Sequence, residues 1–298
     1  MTARVLSAIA AVSVTLASAG RAEAQATPPP PAQTAAQALA QAAPPTPEGR
    51  PIKVYLRGGL KTHAAGQHDY PQFMADWSKL LTERGAIVDG SFHFPTAEEI
   101  ADVDVIVMYK GDAGYMTIGE RIVLENFLKR GGGLVGLHDA ICADDTAWWA
   151  SIMGGAKKHG ETNFTLEAPV PYTFTEANPI TQGAQPFEIT DESFFLMTWA
   201  KDPGIKVLAT AKIAPTRSAG THAGEDVPQV WTYERTLFPR LGGQPTFRSF
   251  VWMQGHNYAN LQDPRVLPTL LRGIAWAAKA PVDALMTVKP APQPRQRQ

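Results

Sequence analysis

Cysteine is nearly absent from this chain of 298 residues, whose only cysteine is Cys142. One cysteine cannot form an intramolecular disulfide, so a disulfide framework is excluded and the fold must rest on its hydrophobic core. An excess of charge of one sign is lacking too, because the formal net charge is −1. Since there is no basic footprint for nucleic acid, we do not expect nucleic acid as a partner.

Short motifs of the common nucleotide and hydrolytic sites are also missing. No G-x-G-x-x-G sequence follows a predicted strand and no Walker-type loop occurs, so we expect no nucleotide cofactor. The chain has neither a G-x-S-x-G elbow nor the H-E-x-x-H spacing of a helical zinc site. Any metal ligands must therefore come together from loops that are far apart in the sequence.

Long apolar runs are absent except near the N-terminus, where residues 5–19 carry no charge. This run is shorter than the roughly 20 apolar residues that span a bilayer. It follows Arg4 and precedes residues 22–24 (Ala-Glu-Ala), which have the small-x-small pattern of a cleavage site. We predict a cleaved signal peptide over residues 1–24, a periplasmic or secreted location, and no integral membrane segment after cleavage.

Composition divides the remaining chain into three parts. Residues 25–51 consist almost entirely of Ala, Pro, Gln and Thr, which cannot bury enough apolar surface to fold, so we predict a disordered linker. The tail, residues 287–298, is similar and is also predicted to be disordered. Residues 52–286 have the length and composition of one globular domain of α/β type.

Strand and helix patterns alternate in the first half of this domain. Short apolar runs predict strands at 52–56, 86–92, 103–108 and 134–137. A first helix begins at Pro71, with an apolar face of Phe73, Trp77, Leu80 and Leu81. A capping box opens a second helix at Thr117 and Glu120, with an apolar face of Ile122, Val123, Phe127 and Leu128. This alternation is typical of a parallel sheet with right-handed crossovers.

The second half of the domain is less regular. Apolar and β-branched runs predict four more strands, at 163–166, 206–211, 229–233 and 249–253. A closing helix is predicted over 264–278 from its repeating apolar positions.

The most informative segment runs from Gly131 to Ala140 and ends on ionisable residues. Its glycines stop a helix, residues 134–137 form an apolar strand, and His138 and Asp139 follow where the strand ends. Ligands of open α/β sheets bind outside the carboxyl ends of the strands, so this pair stands where chemistry occurs. A strand-end histidine can also simply cap backbone carbonyls, and that structural role is the alternative.

Three other histidines, His68, His159 and His256, also lie in or near strand-end loops. If the sheet is parallel, these loops gather at one edge. Four imidazoles at this edge could bind a divalent metal such as zinc, or transfer protons, with the help of Asp69, Asp139 and Glu192. For each single histidine, a hydrogen-bonded loop residue is the alternative. We assign that role to His63, His93 and His222.

Several motifs recur in an order that points to a known family. They are His68-Asp69-Tyr70, Gly131–His138, Trp148-Trp149 before Gly154-Gly155, Asn178–Gly183, Asp191-Glu192, Trp231 followed by Gly255-His256, and the closing stretch Leu271–Ala277. On these motifs, residues 52 to about 280 resemble the ThuA-like (trehalose utilisation) family, which has the fold of class I glutamine amidotransferases.

The resemblance implies an α/β fold, a flavodoxin-like three-layer α/β/α sandwich with a mainly parallel sheet. It also implies a role in carbohydrate metabolism, with a small-molecule sugar as the partner. In amidotransferases the nucleophilic cysteine occupies the turn that here holds His138 and Asp139. Thiol-dependent glutamine hydrolysis should therefore be absent, and we do not expect Cys142 to be a nucleophile.

The predicted site combines these observations with the resemblance. The expected catalytic residues are His138, Asp139, His159 and Glu192. The expected metal ligands are His138, His159 and His256. The expected substrate-binding residues are His68, Asp69, Tyr70, Trp231 and Asn257. The main hypothesis is hydrolysis, lysis or isomerisation of a sugar or keto-glycoside; the alternative is a non-catalytic carbohydrate-binding or envelope interaction domain.

Overall fold

The computed structural model describes residues 49–159, 163–175, 177–235 and 246–289, which all belong to one compact unit. The predicted signal peptide, nearly all of the predicted linker and most of the predicted tail lie outside the described residues. No helix within the described ranges is long and apolar enough to cross a membrane.

Strands and helices follow one another along the described chain in this order. The strands are β1 (Lys53–Gly58), β2 (Ile87–Ser91), β3 (Val105–Tyr109), β4 (Gly133–Leu137), β5 (Gly155–Ala156), β6 (Ala168–Phe174), β7 (Phe187–Asp191), β8 (Thr198–Trp199), β9 (Ile205–Lys212), β10 (Asp226–Arg235) and β11 (Phe247–Trp252). The α-helices are α1 (Tyr70–Thr82), α2 (Ile118–Lys129), α3 (Thr146–Met153) and α4 (Leu267–Ala277). Short 3₁₀ helices include His138–Ile141, directly after β4, and Tyr258–Gln262, which follows β11.

A central nine-stranded sheet has the order β2-β1-β3-β4-β11-β10-β9-β6-β7. The first five strands of this order pair in parallel, and the remaining pairs are antiparallel. The parallel half has the 2-1-3-4-5 arrangement of flavodoxin-like folds, with β11 as its fifth strand. The predicted α/β class is confirmed, and the sheet is mixed because the second half of the domain adds antiparallel strands.

Helices cover both faces of the sheet, which gives the predicted three layers. Side chains alternate along a strand, so Val54 and Leu56 of β1 point to one face and Tyr55 points to the other. The first face packs against α1 and α4, and the second packs against α2 and α3. The strands of the parallel half are buried on both sides, except for the edge strand β2, as continuous apolar runs predict.

The capping box at Thr117 and Glu120 is present with both of its hydrogen bonds. It sets where α2 begins. Leu124, Phe127 and Leu128 are buried, whereas Ile122 is 54% exposed. The predicted apolar face was thus wrong at Ile122, because this residue lies about 200° around the helix from Leu124.

Two other predictions for the domain need correction. Residues 163–166 do not form a strand, because Phe164 makes only an isolated bridge to Phe194. Strands β6 and β7 were not predicted: Pro169 and Pro171 interrupt the donor row of β6, although both edges of this strand are paired.

Candidate functional site

Three buried imidazoles meet beyond the carboxyl edge of the parallel strands. His68 follows β1, His138 follows β4 and His256 follows β11, and these strands run in the same direction. His68 Nε2 lies 3.0 Å from His138 Nε2 and 3.0 Å from His256 Nδ1. We call these three residues the histidine cluster. The three histidines converge because the carboxyl ends of parallel strands lie at the same edge of the sheet.

The outward ring nitrogens of His138 and His68 have partners that can accept a hydrogen bond from a ring N–H group. His138 Nδ1 lies 3.1 Å from the Met253 carbonyl oxygen, which can only accept. His68 Nδ1 lies 3.0 Å from the Tyr70 hydroxyl and 3.1 Å from Thr62 Oγ1. When these Nδ1 atoms carry the protons, the Nε2 lone pairs of His68 and His138 point at each other. Such an arrangement suits a cation between the rings.

Burial disfavours the charged form of two members of the cluster, His68 and His256. It lowers the pKa of His68 to about 2, and the neighbouring His138 contributes to the same effect. Burial also lowers the pKa of His256, again with a contribution from His138. Neutral imidazoles are the form that binds metal ions.

Two of these histidines are held in left-handed backbone conformations. The φ angle is 44° at His68 and 53° at His138, and such angles are uncommon for residues other than glycine. Strained residues persist only where their surroundings determine them, and they concentrate at functional sites. Here the His68 amide donates to the His256 carbonyl at 2.9 Å, so the loops after β1 and β11 are tied together.

Two carboxylates flank the histidine cluster. Glu192 has one oxygen 3.7 Å from His138 Nε2 and the other 3.5 Å from His256 Nδ1. Asp139 Oδ2 lies 3.9 Å from the Nε2 atoms of His68 and His138. Burial raises the pKa of Glu192 to about 7. Burial opposes ionisation of Asp139 as well, but His138 and Lys157 hold its pKa at about 2.

Asp191 organises the loop that carries His256, and the sequence patterns did not identify this role. It is completely buried and accepts hydrogen bonds from the amides of Gly255 and His256, both at 3.1 Å. The Asn260 side chain donates to it at 2.6 Å, and the Glu192 amide donates at 2.7 Å. One carboxylate thus fixes residues on both sides of the cluster. A buried acid that binds a distant loop leaves no local sequence signal.

The predicted substrate residues have different surroundings. Tyr70 contacts His68 directly, and Asp69 precedes α1, where it accepts from the Gly66 amide at 2.8 Å. Asn257 follows His256 and donates to the Thr190 carbonyl at 3.3 Å. Trp231, in contrast, is completely buried in the core, where its indole nitrogen donates to the Met153 carbonyl at 2.8 Å. It packs beneath α3 because β10 directs it to the α2 and α3 face.

His159 is one of the predicted metal ligands, but it does not belong to the histidine cluster. The third imidazole of the cluster comes from His68. The Nδ1 atom of His159 lies 3.1 Å from Asp112 Oδ1, and Cys142 completes a second group of possible ligands. Two contacts of the histidine cluster were not predicted. The His63 ring centroid lies 4.0 Å from that of His68, and Glu167 lies 3.6 Å from His256 Nε2. Glu167 has no identifiable motif, and His63 had been assigned a structural role.

Comparison with known proteins identifies the family. The sequence profile named ThuA and described as "Trehalose utilisation" matches residues 61–277. The chain therefore belongs to the ThuA family, which is linked to carbohydrate metabolism. A comparison with curated proteins finds no significant match.

Two solved structures have a similar fold. A putative ThuA-like protein from Bacteroides uniformis is 19% identical, with a TM-score of 0.60, and the match covers 77% of this chain and 92% of that chain. A putative ThuA-like protein from Parabacteroides merdae is also 19% identical, with a TM-score of 0.58 and coverage of 77% and 90%. At this level of identity the similarity establishes the fold.

Proposed function

We propose that the protein is a metal-dependent enzyme that acts on a sugar or keto-glycoside by hydrolysis, lysis or isomerisation. The observation that carries the proposal is the histidine cluster, with three inward ring nitrogens and two carboxylates within 4 Å of them. Family membership supports a carbohydrate as the substrate. We propose no nucleotide cofactor and no nucleic-acid partner.

The donor set fits a divalent ion such as zinc. Three imidazoles with an open fourth position are a common catalytic zinc arrangement. His138 and His68 both have outer partners of the kind that orient metal-binding histidines. When bound, such an ion supplies Lewis acidity that polarises an oxygen atom of the substrate.

The side chains around the cluster supply proton transfer and orientation. Glu192 has a pKa of about 7, so near neutral pH its carboxyl group can both accept and release a proton. Asp139 stays ionised, and its carboxylate would balance the charge of a cation bound next to His68 and His138. We propose that Tyr70, whose hydroxyl contacts His68, orients a substrate hydroxyl. His159 contacts Asp112 beside Asp139, so we keep it as a candidate proton carrier whenever no metal is bound to its ring.

The test combines elemental analysis with a substrate screen. The purified chain should contain a divalent metal and should convert at least one member of a panel of sugars and 3-keto-glycosides. His138→Ala should lower the metal content and reduce turnover by at least ~10²-fold. His93→Ala is the matched control, because His93 is exposed and pairs with Glu99. Specific sugar binding without turnover would instead favour the carbohydrate-binding alternative, and a metal-free, inactive protein would reject the proposal.

We also propose that the protein is exported, with cleavage after residue 24. The basis is the sequence alone: Arg4, the apolar run 5–19 and the Ala-Glu-Ala pattern at 22–24. N-terminal sequencing of protein from a periplasmic or culture fraction should begin at Gln25. An intact Met1 on protein in the soluble cytoplasm would contradict this.

A further inference from the structure

A second group of possible metal ligands lies beside the histidine cluster. It consists of Asp112 in the loop after β3, Cys142 at the end of the 3₁₀ helix after β4, and His159 in the loop after β5. Their ligand atoms all lie within 4.8 Å of one another. The three residues come from separate segments, so their convergence is a property of the fold and not of one local motif.

Asp139 lies between the two groups. Its Oδ2 faces His68 and His138 at 3.9 Å, whereas its Oδ1 accepts a hydrogen bond from Cys142 Sγ at 3.4 Å. A carboxylate with one oxygen towards each of two cation sites is the arrangement of a bridging ligand. Two-metal sites in enzymes hold their ions roughly 3.5–4 Å apart, a distance that one carboxylate can bridge.

The position of Asp112 suits a cation beside it, because one of its carboxylate oxygens has no well-aligned hydrogen-bond donor among the described residues. Its Oδ1 atom is shielded from solvent and has no hydrogen-bond partner among the described residues, although His159 Nδ1 lies only 3.1 Å away. The backbone of Asp112 is also held in a left-handed conformation, with φ of 56°. A shielded acceptor such as Asp112 Oδ1 costs free energy unless a partner satisfies it.

The donor types and the access route suit a borderline-soft divalent cation. Sulfur, imidazole and carboxylate together are a zinc-type ligand set. The side chains of His159 and Asp112 are 50% and 39% exposed, so the group opens to solvent, while Cys142 is completely buried behind it. Lys157 lies close enough to Cys142 and Asp139 to favour the charged form of each.

We propose that Asp112, Cys142 and His159 form a second divalent metal site of the zinc class, with Asp139 as the carboxylate shared with the histidine cluster. On binding, the Cys142 thiol gives up its proton to solvent and its sulfur becomes a ligand, as thiols do beside a bound cation. Without a metal, burial and the nearby Asp139 raise the pKa of this thiol well above its usual value. The site does not depend on the histidine cluster being catalytic.

Cobalt(II) added to the chelator-stripped full chain is the decisive probe, because cobalt bound to a thiolate gives a near-ultraviolet charge-transfer band. Cys142 is the only cysteine in the chain, so this band can have no other source. The wild type should bind two equivalents and show the band. Cys142→Ser should lose the band, and both Cys142→Ser and His159→Ala should weaken binding of one equivalent. His159 is exposed, so its variant keeps the test valid if the buried Cys142 variant misfolds.

Two further variants separate this proposal from the proposed function. His138→Ala should lose one equivalent of cobalt and keep the thiolate band, because it removes a ligand of the histidine cluster alone. His222→Ala, which pairs with Glu225 on the surface, should keep both equivalents and the band. Absence of the band in the wild type, or its loss in His138→Ala, would overturn the second site. A band without turnover of any sugar would leave the second site standing and count against the proposed enzyme.

Discussion

Asp191 shows how one residue can set the geometry of a site without contacting a ligand. Its oxygens accept from backbone amides in the loop that carries His256 and from the amide of Glu192. An asparagine of the same size would turn an NH₂ group towards some of these amides. The loop would then have to move, and the His256 ring would move with it.

We therefore expect Asp191→Asn to weaken zinc binding by about 10–100-fold, the usual range for groups that orient metal ligands. Zinc titration against a competing chelator measures this effect. The matched control is Asp226→Asn, because Asp226 makes an exposed ion pair with Lys212 that contributes little. Equal zinc affinity in both variants would show that Asp191 does not position the cluster.

At the scale of single residues, the sequence predicted the histidines at the strand ends better than the residues that orient them. His68, His138 and His256 each follow a parallel strand, and the strand direction alone brings them together. The support from Asp191 and the contact of Asp112 with His159 depend on loop geometry. Trp231 is an expected substrate residue because it belongs to the family motif, but its side chain is buried in the core.

The secondary-structure elements were predictable where one periodic pattern dominated. Strands β3 and β4 are apolar throughout because they are buried on both faces, and the start of α2 is marked by its capping box. Strand β6 contains two prolines, which normally argue against a paired strand. The exact apolar face of α2 depended on how the helix is rotated against the sheet, and Ile122 faces solvent.

The start of β4 tolerates no side chain beyond hydrogen. A Cβ atom at Gly133 would overlap the backbone carbonyl of Ala277 at the end of α4, whereas a Cβ at Gly136 would meet only the flexible end of Met153. We expect Gly133→Ala to lower the free energy of unfolding by about 1–3 kcal/mol, as overpacking does. Gly136→Ala, the matched control in the same strand, should cost clearly less in urea denaturation. Similar losses in both would mean that α4 shifts easily.

A lysine just after the end of helix α4 occupies a position that favours glycine. Lys279 has φ of 58°, and its amide and that of Ala280 close the last turn on the carbonyls of Trp276 and Ala275. A left-handed conformation costs roughly 1–2 kcal/mol for residues with a Cβ. We expect Lys279→Gly to raise the free energy of unfolding by about 1 kcal/mol, after the larger entropy loss of glycine is included. Lys279→Ala keeps the strained backbone, so its free energy of unfolding should rise less. An equal rise in this control would show that the destabilisation comes from the side-chain amine and not from the backbone.

The same lysine gives a pH dependence. Burial lowers its pKa to about 8, with Arg248 adding to the effect, so the folded state releases this proton at a lower pH than the unfolded state. The contribution of Lys279 to stability therefore rises with pH between about 8 and the model-peptide value of 10.5. Urea denaturation of Lys279→Ala and the wild type should show a stability difference that shifts towards the wild type over this range. A constant difference would contradict the lowered pKa.

For the whole molecule, the proposed metal ligands tie together the chain from residue 68 to residue 256. The unfolded chain cannot hold these histidines together, so metal binding favours the folded state by mass action. The stabilisation is ~2.7 kcal/mol when the free metal is at about 100 times its Kd. For a domain of this size, each kcal/mol shifts Tm by roughly 2–4 °C.

We therefore expect removal of the metal with a chelator to lower the Tm of the wild type by about 5–10 °C. Readdition of zinc should restore it. His138→Ala, which lacks one imidazole of the cluster and keeps only the proposed second site, should respond to chelator and zinc less than the wild type, and His93→Ala should respond like the wild type. Differential scanning calorimetry measures all three proteins under the same conditions. If the chelator lowers the Tm of the wild type and of His138→Ala equally, the stabilising ion binds elsewhere, and the histidine cluster is not a metal site.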